Sequence, residues 1–138
     1  MFCLAACLPT LASEPTSTQD REVAVRSGVL ELAGAFQNDG FKVRDGFWTG
    51  TLAPGASNLV AVNLYPGNDY WFLAGATNGE LEIEVFDESG QPVEVTPYTD
   101  DKHRAGAGFS ADFAGQYFIR ITLKTGVESP VTLVYSYK

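Results

Sequence analysis

Glu80-Leu81-Glu82-Ile83-Glu84-Val85 alternates acid and hydrocarbon without an error. Successive side chains of an extended chain point to opposite faces, so this segment reads as a strand with Leu81, Ile83 and Val85 on a core. Its three glutamates then share an outer face that is wet or bound to cations, because unpaired carboxylates are costly to bury. Just before it, Thr77-Asn78-Gly79 suits a type I′ turn, whose central residues need φ > 0, and predicts a hairpin to the preceding apolar run. Just after it, Asp87-Glu88-Ser89-Gly90 is a second turn sequence.

The same period of two continues outward on both sides. Strands are expected at Phe47–Leu52, Asn58–Leu64, Tyr70–Ala76, Glu80–Phe86, Pro92–Thr96, Gly108–Phe113, Gln116–Lys124 and Val131–Tyr137. Ala53-Pro54-Gly55, Tyr65-Pro66-Gly67-Asn68-Asp69 and Ala114-Gly115 punctuate them, with Pro presetting φ and Gly or Asn accepting positive φ. Short alternating strands separated by regular turns imply an all-β fold, an antiparallel jelly-roll-like β-sandwich of about eight strands. In Tyr117-Phe118-Ile119-Arg120-Ile121-Thr122-Leu123-Lys124, the residues Tyr117, Ile119, Ile121 and Leu123 point inward and Arg120, Thr122 and Lys124 outward. If this strand neighbours the glutamate strand, their outward charges pair, setting register more than stability at ~0.2–1 kcal/mol each.

Ahead of the strands the period changes. Val25, Val29, Leu32 and Phe36 fall at i, i+4, i+7 and i+11, one stripe of a helix. Ser17 or Thr18 can cap its start, Asp20 and Glu22 suit the positive end of its dipole, and Asn38-Asp39-Gly40 supplies a left-handed stop. Gly28 and Gly34 each weaken it by roughly 1 kcal/mol, so it needs the body to pack against, closing an end or covering a face. The expected organisation is a signal-peptide remnant at 1–13, a leader at 14–18, an N-terminal helix at 19–40 and a β-sandwich domain at 41–138.

Both cysteines, Cys3 and Cys7, lie in the apolar run Met1-Phe2-Cys3-Leu4-Ala5-Ala6-Cys7-Leu8, and the rest of the chain has none. No disulfide framework or thiolate cluster can therefore hold the fold. The run is too short for a transmembrane helix, and it ends in small residues, Thr10-Leu11-Ala12-Ser13, like the cleavage region of a secretory signal. A basic leading region is missing, so either the start lies inside a longer signal or the segment is an ordinary buried N-terminus. Leu4-Ala5-Ala6-Cys7 also matches a lipobox, which would make the protein a lipoprotein through Cys7. The expected location is exported, periplasmic or extracellular.

The 138 residues carry 17 Asp+Glu against 9 Lys+Arg, a formal charge of −8, with 45 % hydrophobic and 19 % charged residues. That is one domain with ample core, and its acidity excludes nucleic acid and anionic membrane surfaces as default partners.

The order of motifs resembles the bacterial pre-peptidase C-terminal domain and its relatives. It comprises Leu64-Tyr65-Pro66-Gly67-Asn68-Asp69-Tyr70, then Val85-Phe86-Asp87-Glu88-Ser89-Gly90-Gln91-Pro92-Val93, then Ala114-Gly115-Gln116-Tyr117-Phe118-Ile119-Arg120-Ile121. The resemblance covers Gly46 to Tyr137 and implies a small exported sandwich serving as a non-catalytic appendage, with some similar domains binding polysaccharide, collagen or calcium. Gly79-Glu80-Leu81-Glu82 stands where such relatives often have Asp-x-Asp, and the domain is expected to stand alone rather than behind a peptidase.

Catalytic equipment is sparse. His103 is the only histidine, between Lys102 and Arg104 in a polar loop, and Gly-x-Ser-x-Gly is absent, so the chain is read as no enzyme. Asp87, Glu88, Asp100 and Asp101 fall in expected loops and are the candidate metal ligands, since Ca²⁺ takes hard oxygens; otherwise they are solvated turns and no cofactor is bound. Trp48, Tyr70 and Trp71 are the candidate ligand-binding residues, because exposed aromatic faces stack on sugar rings; the alternative is that they are core. The chain is thus expected to be a non-catalytic exported binding or accessory module for carbohydrate or a protein partner. The alternative is a structural or assembly protein of the cell envelope.

Overall fold

The computed structural model describes residues 18–44, 48–101 and 103–138. The expectations for residues 1–17 and for Phe47 lie outside them. Helix α1 (Thr18–Gln37) is followed by β1 (Lys42–Val43), β2 (Trp48–Leu52), β3 (Ser57–Leu64), β4 (Asp69–Ala76), β5 (Leu81–Phe86), β6 (Thr96–Asp101), β7 (Arg104–Ser110), β8 (Gly115–Leu123) and β9 (Ser129–Tyr137). The helix ends in a Schellman motif: Phe41 N–H donates to Phe36 O at 3.2 Å, Gly40 N–H donates to Gln37 O at 3.0 Å, and Gly40 takes φ 94°.

The strands form an antiparallel jelly-roll-like sandwich with one helix. The larger sheet has the order β1-β9-β4-β7-β6, with β2 also on β9, and the smaller has the order β3-β8-β5. β1 and β2 follow one another along the same edge of β9, joined by Arg44 N–H donating to Tyr135 O at 2.9 Å. Between the sheets lies the main core, built from Phe72, Phe109, Val85, Ile119, Ile121, Leu123 and Val131 among others. A second core sits on the other face of the larger sheet, where Val25, Val29, Leu32 and Ala33 of α1 meet Leu73 and Val134. The helix therefore covers a face, and Val29 approaches so closely that a Cβ on Gly75 would stand 2.6 Å from its methyl. Since β4 is sandwiched between helix and second sheet, Tyr70-Trp71-Phe72-Leu73-Ala74-Gly75-Ala76 is an unbroken apolar run rather than an alternation.

Three local expectations are corrected. Thr77-Asn78-Gly79 makes a crossover and not a hairpin: β4 already has β7 and β9 on its two edges, so β5 joins the other sheet. The crossover is fixed by Ser129 Oγ, which accepts from Thr77 N–H at 2.9 Å and Asn78 N–H at 3.3 Å, and by Gly79 at φ 98°. The strand expected at Pro92–Thr96 does not form: Pro92 lacks an N–H, the segment touches β5 through one bridge, Phe86 to Pro92, and only Thr96 enters a ladder, as the first residue of β6. The polar stretch from Tyr98 to Arg104 belongs to a β6–β7 hairpin, and β7 begins at Arg104 rather than Gly108. As the outermost strand of its sheet, β6 can be held by one neighbour without an apolar face of its own.

Candidate functional site

The three candidate aromatics are not brought together. Tyr70 is only 4 % exposed and is a core residue, correcting its reading as a sugar platform. Its ring lies 6.0 Å from Phe109, and its hydroxyl accepts from Tyr65 N–H at 2.9 Å and Asn68 Nδ2 at 3.2 Å, bracing the turn before β4. Trp71 points the other way, towards the helix, 4.9 Å from Phe36 and 6.4 Å from Tyr98, and is half-buried, its remaining surface lining a shallow pocket with Phe41 and Thr96. Trp48 is half-buried on the sandwich side of edge strand β2, its ring lying where a Cβ on Gly50 would go. With the two tryptophans on opposite faces of one sheet, they cannot share a stacking surface.

The candidate metal ligands are also separated. Asp87 and Glu88 follow the last residue of β5, while the backbone of Asp100 and Asp101 lies where the β6–β7 hairpin turns, beside Gly79 at the other end of β5. The backbone of the two pairs thus stands at opposite ends of β5, and among the described residues no cluster of three or more His, Cys, Asp or Glu stands ready for a metal. Asp87 is instead committed to its own turn: Oδ1 accepts from Ser89 Oγ at 2.6 Å, Ser89 N–H at 2.9 Å and Gln91 N–H at 3.0 Å. These donors, the Ser89 hydroxyl first, hold its carboxyl below the ordinary range. His103 is exposed and its Nδ1 lies 2.9 Å from Gly79 O, which ties the hairpin to the crossover.

A different surface is assembled on the outer face of β3-β8-β5. Leu59, Arg120 and Glu84 stand in one row across the three strands, and Ala61, Phe118 and Phe86 in the next. Leu59 is 54 % exposed, and Phe86 and Phe118 are half-buried. Arg120 is fixed by Glu84, with Nη2 at 2.7 and 2.8 Å from the two carboxylate oxygens, and its guanidinium lies 4.9 Å from the Phe86 ring centre. These residues, with Glu88 and Ser89 of the neighbouring turn, line an open groove of about 420 Å³. The sequence held a signal for it: Phe86 continues the parity of the outward glutamates, and Phe118 that of outward Arg120.

No family model and no curated protein matches the chain. Among solved structures it is similar to Aeromonas hydrophila PliG, a periplasmic lysozyme inhibitor of g-type lysozyme, with a TM-score of 0.52 and 16 % identity over 72 % of this chain and 90 % of that one. A Burkholderia pseudomallei antigen and type I fimbria protein aligns at 15 % identity over 72 % of this chain and 74 % of the other, with a TM-score of 0.24. The first likeness is one of fold. Among the described residues no helix is long and apolar enough to cross a membrane.

Proposed function

We propose that this chain is a non-catalytic exported module that binds a protein, and that the outer face of β3-β8-β5 is its contact surface. The observation that carries the reading is the groove itself: exposed Leu59 beside Phe86 and Phe118, with an arginine already held in place. Aromatic and arginine side chains that need little further ordering are the usual anchors of protein contacts. The formal charge of −8 favours a basic partner by steering. Similarity of fold to a periplasmic lysozyme inhibitor supports a protein rather than a sugar as ligand, and makes a g-type lysozyme the first partner to try. The pre-peptidase C-terminal resemblance of the turns is consistent with the same exported, accessory role.

The test is to titrate the protein into a g-type lysozyme assay and a panel of basic exported proteins, following activity and complex formation. Binding that Leu59→Asp abolishes without lowering Tm supports the reading. Binding to glycans alone, or binding untouched by Leu59→Asp, overturns it.

A further inference from the structure

We propose that the open edge of β5 accepts one extended peptide strand in which apolar and basic residues alternate. The backbone parity of β5 sets the first requirement. Glu80 O accepts Lys124 N–H at 2.7 Å, so even-numbered residues here turn their backbone groups towards β8. Val85 O accepts Val93 N–H at 2.8 Å from the opposite side, so odd-numbered residues turn theirs outward. Leu81 and Ile83 consequently present N–H and C=O away from the sheet, and among the described residues no backbone group meets them.

The edge is framed and not merely exposed. At one end the contact of His103 Nδ1 with Gly79 O draws the β6–β7 hairpin against the chain entering β5. At the other, the Val93 to Val85 hydrogen bond closes the segment that leaves it. Between them the two sheets part into a cleft of about 390 Å³, walled by Ile83, Val93, Val95, Tyr98 and Ala105. Because β6 pairs with β7 in the larger sheet, the smaller keeps three strands and β5 remains its edge. A strand added there would complete the ladder and close the cleft, the mode by which extended peptides augment sheets.

Charge selects the occupant. Every second side chain of the added strand would enter the cleft beside Ile83, Val93 and Val95, and the others would lie beside the row Glu80, Glu82 and Glu84. Arg120 holds Glu84 and Lys124 stands 3.8 Å from Glu82, whereas Glu80 makes no ion pair among the described residues. A second copy of this edge would set glutamate against glutamate, which disfavours self-pairing and leaves a Lys- or Arg-bearing strand as the fitting partner. This edge borders the outer face proposed above and shares Glu84 with it, but its backbone contacts at Leu81 and Ile83 are tested independently of that reading.

The experiment titrates acetyl-Lys-Val-Lys-Val-Lys-Val-amide into the isotopically labelled full chain and follows amide shifts and hydrogen exchange. The amides of Leu81 and Ile83 are expected to shift and to exchange more slowly. An analogue N-methylated at alternate residues, unable to complete the ladder, should bind about tenfold more weakly. Glu80→Lys should likewise weaken binding while leaving Tm unchanged. Equal binding of parent and N-methylated peptides, shifts confined to Leu59 and Phe118, or no binding at millimolar peptide overturns the proposal.

Discussion

Arg120 and Glu84 face each other directly across the β5–β8 ladder, and the guanidinium contacts both carboxylate oxygens, at 2.7 and 2.8 Å. The pair fixes an arginine beside Leu59 and Phe118 and holds its guanidinium 4.9 Å from the Phe86 ring centre. Its purpose is therefore sought in positioning rather than in stability.

A double-mutant cycle with Glu84→Ala and Arg120→Ala should give a coupling energy of no more than about 1 kcal/mol. The two side chains are 42 % and 37 % exposed, so water screens them, and 1 M salt should reduce the coupling further. A coupling well above that value in urea denaturation would make the pair a structural keystone instead.

Trp71 lies between α1 and the larger sheet, against Phe36 and Tyr98. Trp71→Ala should lower stability by about 3 kcal/mol, because truncation opens a cavity in the second core. Hydrogen exchange should quicken first in the last turns of α1, where Phe36 packs on Trp71. Unchanged stability would mean that the helix does not need this contact.

Gly79 and Gly55 both have positive φ, 98° and 85°, but only Gly79 is crowded. A Cβ there would stand 2.0 Å from Thr125 O, whereas the same addition at Gly55 meets nothing within 4 Å. Gly55→Ala should cost about 1–2 kcal/mol from backbone strain alone, and Gly79→Ala clearly more, because strand ends must move apart. Equal melting temperatures for the two variants would contradict this.

Stability should respond to pH at both extremes through two identifiable groups. Hydrogen bonds from Ser89 and Gln91 lower the pKa of Asp87 below its ordinary 3.8, so its stabilising effect is present above that value and is lost as pH falls through the lower folded value. Burial raises the pKa of Tyr135 above its ordinary 10.0, with Arg44 opposing, so its contribution is intact below pH 10.0 and is lost as pH rises beyond it. Denaturation midpoints should flatten on the acid limb in Asp87→Asn and on the alkaline limb in Tyr135→Phe. A wild-type slope in either variant would assign that limb to other groups.

Much of the architecture was legible because it is written in periodicity. The errorless alternation of Leu81, Ile83 and Val85 places all three in the core, and the four-residue spacing of Val25 and Val29 places the helix stripe against a sheet. The outward charges of Glu84 and Arg120 could pair only if their strands were neighbours, and the register makes them so. The candidate sites were less legible. Alternation said that Trp71 faces away from Tyr70 but not that a helix waits there, although the continuous apolar run from Tyr70 to Ala76 carried that information.

Sequence by itself determined which residues are extended, which parity of each strand seeks the core, and where the chain turns, since these follow from local sterics and from the period of hydrophobic side chains. Only the tertiary structure decided which strands are neighbours, sending Thr77-Asn78-Gly79 across to the second sheet and Asp87 and Asp101 to opposite ends of β5. The reason is that edge occupancy is a global property. Whether β5 pairs beside β4 depends on β7 and β9 having already taken both of its edges, and no local pattern records that competition.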